Sequence, residues 1–305
     1  MATYLGNTKL NAVLMVETTP QEVIALIEDE PPANCVLPDS VKGIKSYFFS
    51  ENKSLVYFDS NNAEEIGQHA FNKCTATSLT LRSKVKKIGY RAFANMDNWQ
   101  YRDFSQIELN KDMASANDHN PINGFYGCNF GNNTYLPNGF MSQCSHLNTD
   151  YLDFSKFIYI GSTSATAHSS YDDPDFKCIN ISSATTIGAS AFYNRGHLEE
   201  IIFNPNETYT IGDQTFSFAS QAQRDKFGDV LTDVYMDKVK TIATRAFRYR
   251  QSLKNVYIGA DCTSIGTTAF EYCTQADLVI RINQPKDNIK GSPWGATNAT
   301  IVWEG

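Results

Sequence analysis

The sequence predicts a β-rich solenoid in which short coils stack on one another and their strands form a parallel sheet. Three observations lead to this fold class. A six-residue motif recurs along most of the chain, and its copies are separated by regular intervals. Each copy also follows a short stretch with the alternation of a half-buried strand. One coil cannot bury its own apolar edge, so stacking of coils is the expected solution.

The recurrent motif is Ile-Gly-x-x-Ala-Phe, where x is any residue. Ile44, Ile66 and Ile88 lie 22 residues apart, and Ile242 and Ile265 lie 23 residues apart. A period of this length is typical of leucine-rich repeats. The copies, some with small variations, begin at Ile66, Ile88, Ile187, Ile211, Ile242 and Ile265, with a looser one at Ile44.

A second pattern, apolar-x-x-apolar-x-apolar, precedes the motif. Its last two positions are two residues apart, which is the alternation of a strand with one buried face. Each repeat is therefore predicted as a short strand, a turn that carries Ile-Gly, and a compact turn or short helix whose Ala-Phe points inward. Clear examples are Leu198/Ile201/Phe203, Leu231/Val234/Met236 and Leu253/Val256/Ile258.

The residue types within the motif suit stacked coils. Glycine lets the chain turn a tight corner, alanine leaves room for the neighbouring coil, and the phenylalanines are expected to form a column. Cys74, Cys128 and Cys273 each lie three residues after the phenylalanine position, where a small apolar residue fits. Seven cysteines without a CxxC pair predict reduced, structural thiols rather than a disulfide framework or a metal site.

These repeats resemble the BspA-like (Treponema pallidum type) leucine-rich repeats. The best match is LKNVYIGADCTSIGTTAFEYC, which begins at Leu253, and the resemblance extends with gaps over residues 41–283. It implies a right-handed leucine-rich-repeat solenoid with α/β-type repeats, used in adhesion and in protein or glycan recognition, often at microbial surfaces. The family has no shared catalytic residues to carry over.

The domain organisation follows from where the motif holds. Residues 41–283 are predicted as the solenoid, with irregular central repeats. Two polar insertions, at 112–120 and 162–174, are either loops on the binding face or tolerated sequence drift in degenerate repeats. Residues 284–305 are predicted as a C-terminal cap. Residues 1–40 are predicted as a strand pair and a helix at 19–27, forming either an N-terminal cap or an attachment segment. Their YLGNTKL stretch resembles the openings of tail-associated proteins from phages and prophages.

The sequence contains no signature of an enzyme or of a cofactor site. The GxSxG, HExxH, P-loop and GxGxxG motifs are absent, and the acidic stretch at 171–175 lacks the ligand spacing of a calcium loop. A net charge of −7 argues against nucleic acid as a partner. No apolar run is long enough for membrane insertion, and no secretory signal is seen. We expect a protein that is not an enzyme and has neither a cofactor nor a metal.

Outward positions of the predicted strands are the candidate binding surface. The residues between the two inward apolar positions face out, and several are tyrosines, which combine apolar area with a hydroxyl. Such tyrosines also stabilise strands by packing across them. The outward residues are taken as Tyr57, Thr80, Glu108, Asn180, Ile202, Tyr235 and Tyr257, of which Tyr57, Tyr235, Tyr257, Ile202 and Asn180 form the predicted binding set.

A local basic stretch from Lys238 to Lys254 also stands out in this acidic protein. The stretch is interpreted either as a surface for an anionic partner or as a solvated edge of the repeats, and we favour the solvated edge.

Two functions follow as expectations. The first is a recognition or adhesion protein that binds a protein or glycan receptor on a cell surface, as a receptor-binding or fibre component of a phage or tail-like particle joined through residues 1–40. The second is a structural or decoration protein of such an assembly with no ligand of its own. The expected location is an extracellular particle (virion) or a microbial surface.

Overall fold

The computed structural model describes residues 3–7, 12–16, 33–89, 92–94, 96, 98–99, 102–109, 128–138, 151–162 and 176–305. It divides into two compact units. Unit 1 comprises Met1–Asn133 with Gly139–His146, and unit 2 comprises Thr134–Asn138 with Leu147–Gly305. The predicted helix at 19–27, the insertion at 112–120, the acidic stretch at 171–175 and all of the 162–174 insertion except Ser162 lie outside the described residues.

Unit 1 is built from two sheets, and from β3 to β9 successive strands of the chain belong alternately to one and the other. One has the order β10-β9-β7-β5-β3 and is parallel throughout, and the other has the order β1-β2-β4-β6-β8. The strands are β1 (Thr3–Asn7), β2 (Ala12–Val16), β3 (Asn34–Val36), β4 (Val41–Ile44), β5 (Tyr57–Asp59), β6 (Glu65–Ile66), β7 (Ser78–Thr80), β8 (Lys87–Ile88), β9 (Arg102–Asp103) and β10 (Cys128–Asn129).

The first strands of unit 1 confirm the predicted N-terminal strand pair. Strands β1 and β2 pair antiparallel, and β2 continues antiparallel onto β4, so the pair extends the second sheet of the solenoid. Strand β3 lies inside the 1–40 segment but pairs parallel with β5. The first coil therefore begins before residue 41, which corrects the predicted start of the solenoid.

Unit 2 repeats this arrangement over more coils. Its longest sheet has the order β11-β13-β15-β17-β19-β21, and two further parallel sheets have the orders β12-β14-β16 and β18-β20-β22-β23. The strands are β11 (Tyr135–Leu136), β12 (Tyr151–Asp153), β13 (Tyr159–Ile160), β14 (Cys178–Asn180), β15 (Thr186–Ile187), β16 (Glu200–Ile202), β17 (Tyr209–Ile211), β18 (Asp233–Met236), β19 (Val239–Ile242), β20 (Asn255–Ile258), β21 (Ser264–Ile265), β22 (Val279–Ile282) and β23 (Thr300–Trp303).

Most repeats within the described ranges carry two short strands rather than the one that the sequence predicts. In the coil after β20, the isoleucine of Ile265-Gly266 closes β21, and the Ala-Phe that follows lies in a turn. A two-residue strand has no room for alternation, so the apolar pattern gives no sign of the second sheet. Within the described residues, the helical segments are α1 (Gln221–Phe227) and a 3-10 turn (Lys286–Asn288), and neither carries the motif.

The motif residues form the core as predicted. Phe216, Phe247 and Phe270 are fully buried and stack at centroid distances of 5.4 Å, giving a continuous column of rings. Ala246 and Ala269 beside them are also fully buried. The column adds to the apolar burial that stabilises the coils.

The C-terminal residues continue the stack beyond the last copy of the motif. Strand β23 pairs parallel with β22, and the amide of Phe270 donates to the carbonyl of Trp294 at 3.0 Å. Trp294 is fully buried and its indole N–H donates to the carbonyl of Lys290 at 2.8 Å. An apolar side chain thus packs against the final repeat, consistent with the interpretation of residues 284–305 as a cap.

Candidate functional site

The sheet formed by β18, β20, β22 and β23 presents an outward row with two tyrosines. Tyr235 pairs with Tyr257, Tyr257 with Arg281, and Arg281 with Val302, so the four side chains lie side by side across the sheet. Val234 and Met236 flank Tyr235 in sequence and are buried, which turns its ring outward. Tyr235 is 62% exposed, the largest exposure among the large apolar side chains of the described residues.

A polar row runs beside the aromatic one on the same face. The Asn255 amide donates to the Asp233 carboxylate at 2.7 Å and accepts from Arg281 Nη1 at 3.4 Å. The Thr232 hydroxyl also donates to Asp233, at 2.5 Å. These hydrogen bonds hold charged and amide groups at fixed positions next to the tyrosines. The face therefore combines apolar area with oriented polar groups, as binding surfaces do.

Arg281 and Val302 also lie on this face, although the repeat motif does not predict them as outward residues. Both lie in coils where the Ile-Gly motif is absent, so the motif does not identify their strands. The alternation in Val279–Ile282 and in Thr300–Trp303 is the signal that would have found them.

Asn180 and Ile202 also pair with each other, in the sheet β12-β14-β16. The Asn180 amide is already engaged: its oxygen accepts from the Ser182 N–H at 3.1 Å, and its nitrogen donates to the Tyr151 hydroxyl at 2.7 Å. The first contact is an Asx-turn, in which the side chain fixes the bend after the strand. Asn180 thus has a structural role in addition to its outward position.

Tyr57 and Glu108 do not occupy the strand positions predicted from the repeat pattern. In unit 1, Tyr57 pairs with Ser78, whereas Thr80 pairs with Asp59 and with Asp103. The residue in register with Thr80 is therefore Asp59, and Tyr57 lies two residues earlier on the same outward side, because the inward residue between them is Phe58. Glu108 lies beyond the end of β9. Phe104, Ile107 and Leu109 have the spacing of the apolar-x-x-apolar-x-apolar pattern, but they follow the strand instead of forming it.

Tyr57 is hydrogen-bonded to an ion pair between Asp59 of its own strand and Arg82 of the next coil. Its hydroxyl donates to Asp59 at 3.3 Å, and Arg82 Nε donates to the same carboxylate at 3.0 Å. Burial acts to raise the pKa of Asp59, but the hydrogen bonds from Arg82 and from the Asn61 N–H outweigh it, so the pKa is lowered. Asp59 is thus a stable anion that orients Tyr57.

Several residues of the basic stretch pair with acidic residues of the next coil. Lys238 Nζ lies 3.1 Å from Asp261, Arg248 Nε lies 2.7 Å from Glu271 and Lys254 Nζ lies 4.0 Å from Asp277. Each pair joins residues 23 positions apart, one repeat length. These ion pairs argue against a continuous surface for a polyanion. Arg250 also departs from the prediction of a solvated edge, because its side chain is fully buried.

The cysteines of the described residues support the structural interpretation. Cys35, Cys74, Cys178, Cys262 and Cys273 are free thiols. Burial raises the pKa of Cys35 to about 12 and that of Cys262 to about 11. Such thiols are protonated at neutral pH and are poor nucleophiles.

The described residues contain no group of three or more His, Cys, Asp or Glu side chains placed to hold a metal ion. No helix in the described ranges has the length and apolar character needed to cross a membrane.

Comparisons with known proteins bear on the repeats. The family model described as "BspA type Leucine rich repeat region" matches residues 31–148 and 155–277 in six copies. None of the curated proteins matches the chain.

Three solved structures match the chain over most of its length. The pneumococcal vaccine antigen PcpA is 17% identical, with 94% of this chain and 82% of that chain covered and a TM-score of 0.45. A leucine-rich cell surface protein of Faecalibacterium prausnitzii is 16% identical, with 100% and 95% covered and a TM-score of 0.32. A leucine-rich repeat protein of Bacteroides ovatus is 14% identical, with 99% and 98% covered and a TM-score of 0.32.

Proposed function

Because this chain belongs to the BspA-type leucine-rich repeat family, we propose that it is a non-enzymatic recognition protein that binds a protein or a glycan on a cell surface. The binding face is the outward side of the sheet β18-β20-β22-β23, with Tyr235 and Tyr257 as the main contacts. The observation that carries the proposal is the 62% exposure of Tyr235 in direct register with Tyr257.

The chemistry of this face supports binding. A tyrosine buries a large apolar area and loses little side-chain freedom, since only two torsion angles must be ordered. Its hydroxyl hydrogen-bonds to protein or sugar, which is why tyrosine is enriched among residues that dominate binding energy. Arg281 beside Tyr257 adds a cation whose guanidinium recognises carboxylates and carbonyls. Tyr57, Asn180 and Ile202 lie on other strands and contribute less, because two of them are engaged in local hydrogen bonds.

The setting of the proposed function is the outside of a cell or particle. Repeat families of this kind resemble adhesins of microbial surfaces, and residues 1–40 are the segment through which the chain would join a larger assembly. The narrower hypothesis of a phage fibre or tail component rests on the YLGNTKL stretch alone. None of the matches reported above is to a phage or tail-associated protein.

A structural or decoration role is the competing function. The coil-to-coil ion pairs, such as Lys238–Asp261, and the continuous phenylalanine column would make the repeats a rigid spacer without any ligand. Such a protein has no need of an exposed aromatic row, so the two functions differ in what the tyrosines do.

The test is binding of the full chain to a glycan microarray and to an array of extracellular proteins. We expect at least one reproducible target, and a Tyr235→Ala/Tyr257→Ala double variant should lose about 10- to 100-fold in affinity for it. Tyr47→Ala is the matched control, because Tyr47 is an exposed tyrosine of unit 1. Equal binding by the double variant would exclude this face, and the absence of any target would favour the structural role.

A further inference from the structure

A cluster of aromatic and charged side chains lies on the turns of unit 2, away from the sheet face described above. Its members come from the turns of three coils, around the pairs Ala191-Phe192, Ala246-Phe247 and Ala269-Phe270. No part of the proposed function uses it. We call it the Arg248 cluster, and it consists of Tyr193, Arg245, Arg248, Tyr249, Glu271 and Tyr272.

The centre of the cluster is a guanidinium group packed on two stacked tyrosines. The rings of Tyr249 and Tyr272 lie 4.6 Å apart with planes 12° from parallel. The Arg248 guanidinium carbon lies 4.7 Å from the centroid of Tyr249 and 5.3 Å from that of Tyr272. Such cation–π contacts hold an arginine in place without consuming its hydrogen-bond donors.

The guanidinium of Arg248 has donors left to offer. Its Nε lies 2.7 Å from Glu271, so one side of the planar group is occupied by that carboxylate. Among the described residues, no hydrogen bond forms from either terminal nitrogen of Arg248. These two nitrogens form the second edge of the fork, which matches the geometry of an incoming carboxylate.

Backbone conformation fixes the surrounding side chains. Arg245, Tyr249 and Tyr272 have φ angles of +57°, +64° and +62°. This left-handed conformation recurs at the same turn positions in other coils, where the residues are Ser190 and Asn194. The left-handed conformation is therefore a general feature of these turns. What distinguishes this cluster is that tyrosines and an arginine occupy the positions. Tyr272 is 43% exposed, and the side chain of Arg245 is 45% exposed.

The charge of the cluster limits what it can bind. Glu271 lies 3.9 Å from Arg245 as well as beside Arg248. Asp213 lies close enough to act on Tyr193 together with both arginines. Glu271 thus offsets part of the charge of the two guanidinium groups, which weakens the attraction for a densely charged polyanion. A single carboxylate next to an apolar group fits better, because it pairs with the open edge while its neighbour covers a tyrosine ring.

We propose that the Arg248 cluster is a second binding site, which docks a protein segment presenting one carboxylate beside an apolar side chain. The site binds through the terminal nitrogens of Arg248 and the ring of Tyr272, with Arg245 adding charge at the rim. It is independent of the tyrosine row on the sheet, so either site can be lost without the other.

The probe for this site is a pair of labelled peptides, Ac-Phe-Glu-Phe-NH2 and its neutral counterpart Ac-Phe-Gln-Phe-NH2, titrated against the full chain by fluorescence anisotropy. We expect the glutamate peptide to bind at least 10-fold more tightly than the glutamine peptide. Arg248→Met should abolish this difference, and Arg248→Lys should reduce it, because lysine keeps the charge and loses the fork. Lys240→Met, in the same coil outside the cluster, is the control and should bind as the native chain does.

Several results would overturn the proposal. Equal affinity for the two peptides, no binding of the glutamate peptide, or unchanged binding by Arg248→Met would each do so. A heparin-derived hexasaccharide serves as the polyanion arm, and tighter binding of it than of the glutamate peptide would assign the site to an acidic glycan instead. Arg248→Lys guards against misfolding of the methionine variant, and thermal denaturation checks each protein.

Discussion

Arg250 forms an ion pair with Asp229 in which neither side chain is exposed to solvent, with 3.0 Å between Nη1 and Oδ1. The same guanidinium donates to the carbonyls of Phe216 and Arg195 at 2.6 and 2.7 Å. The second oxygen of Asp229 accepts from the Ser252 N–H at 2.9 Å. Arg250 thus joins segments that are up to 55 residues apart in sequence, including the longer repeat that contains α1.

Loss of Arg250 should destabilise unit 2 strongly. Arg250→Met would leave Asp229 and two carbonyls buried without their donor, which costs about 3–5 kcal/mol for a broken buried pair. Urea unfolding measures this change. In a double-mutant cycle, Arg250→Met with Asp229→Asn should cost less than the sum of the single variants. Strict additivity would contradict the importance of the pair.

Tyr209→Phe should leave stability unchanged or raise it by about 1 kcal/mol. Tyr209 is 1% exposed and its ring stacks on Phe203 at 5.1 Å. Its hydroxyl has no hydrogen-bond partner among the described residues, so removing it removes a desolvation cost. Thermal and urea unfolding measure the effect, with Tyr257→Phe on the surface as the control. A clear loss of stability would show that the hydroxyl has a partner.

Gly266→Ala should cost about 1–3 kcal/mol of stability. A Cβ at this position would lie 2.6 Å from the Thr244 nitrogen of the preceding coil, so the two coils would have to separate. The matched control is Ala243→Gly, since Ala243 holds the same motif position in the preceding coil. There, only the added backbone freedom of glycine should matter, about 0.5–1 kcal/mol. Equal costs would argue against close coil packing as the reason for the glycine.

Alkaline pH should destabilise the protein through its buried thiols. Burial raises the pKa of Cys262 from the ordinary 9.0 to about 11, so the folded chain keeps a proton that the unfolded chain releases. This contribution is complete below about pH 9 and disappears as pH rises through 11. The free energy of unfolding should therefore fall over this range, by roughly 2 kcal/mol for this thiol. Cys262→Ala should show a shallower decline in urea unfolding at pH 8, 9.5 and 10.5, and an identical slope would contradict the role of the thiol.

The sequence by itself determined the repeat and its core. Ile265, Ala269 and Phe270 recur at fixed intervals and are buried as the motif predicts, because each coil meets the same packing constraint and selects the same small, branched or aromatic residues. The strand that holds Tyr257 was identified for a related reason, since its four residues alternate between the core and solvent. These signals are local, so a single pass along the chain detects them.

Only the tertiary structure decided what lies beside what. The second sheet consists largely of two-residue strands, which are too short for an apolar pattern, and the register that places Arg281 next to Tyr257 depends on coil stacking. The same stacking buried Arg250 and paired Arg248 with Glu271. In the sequence, the two arginines belong to one basic stretch and cannot be told apart. Contacts between residues 22 or 23 positions apart depend on the exact length of each coil, and a difference of one residue turns a side chain from one face to the other. The partners of the candidate site therefore became visible only in three dimensions, as did the register that places Tyr57 opposite Ser78 and Asp59 opposite Thr80.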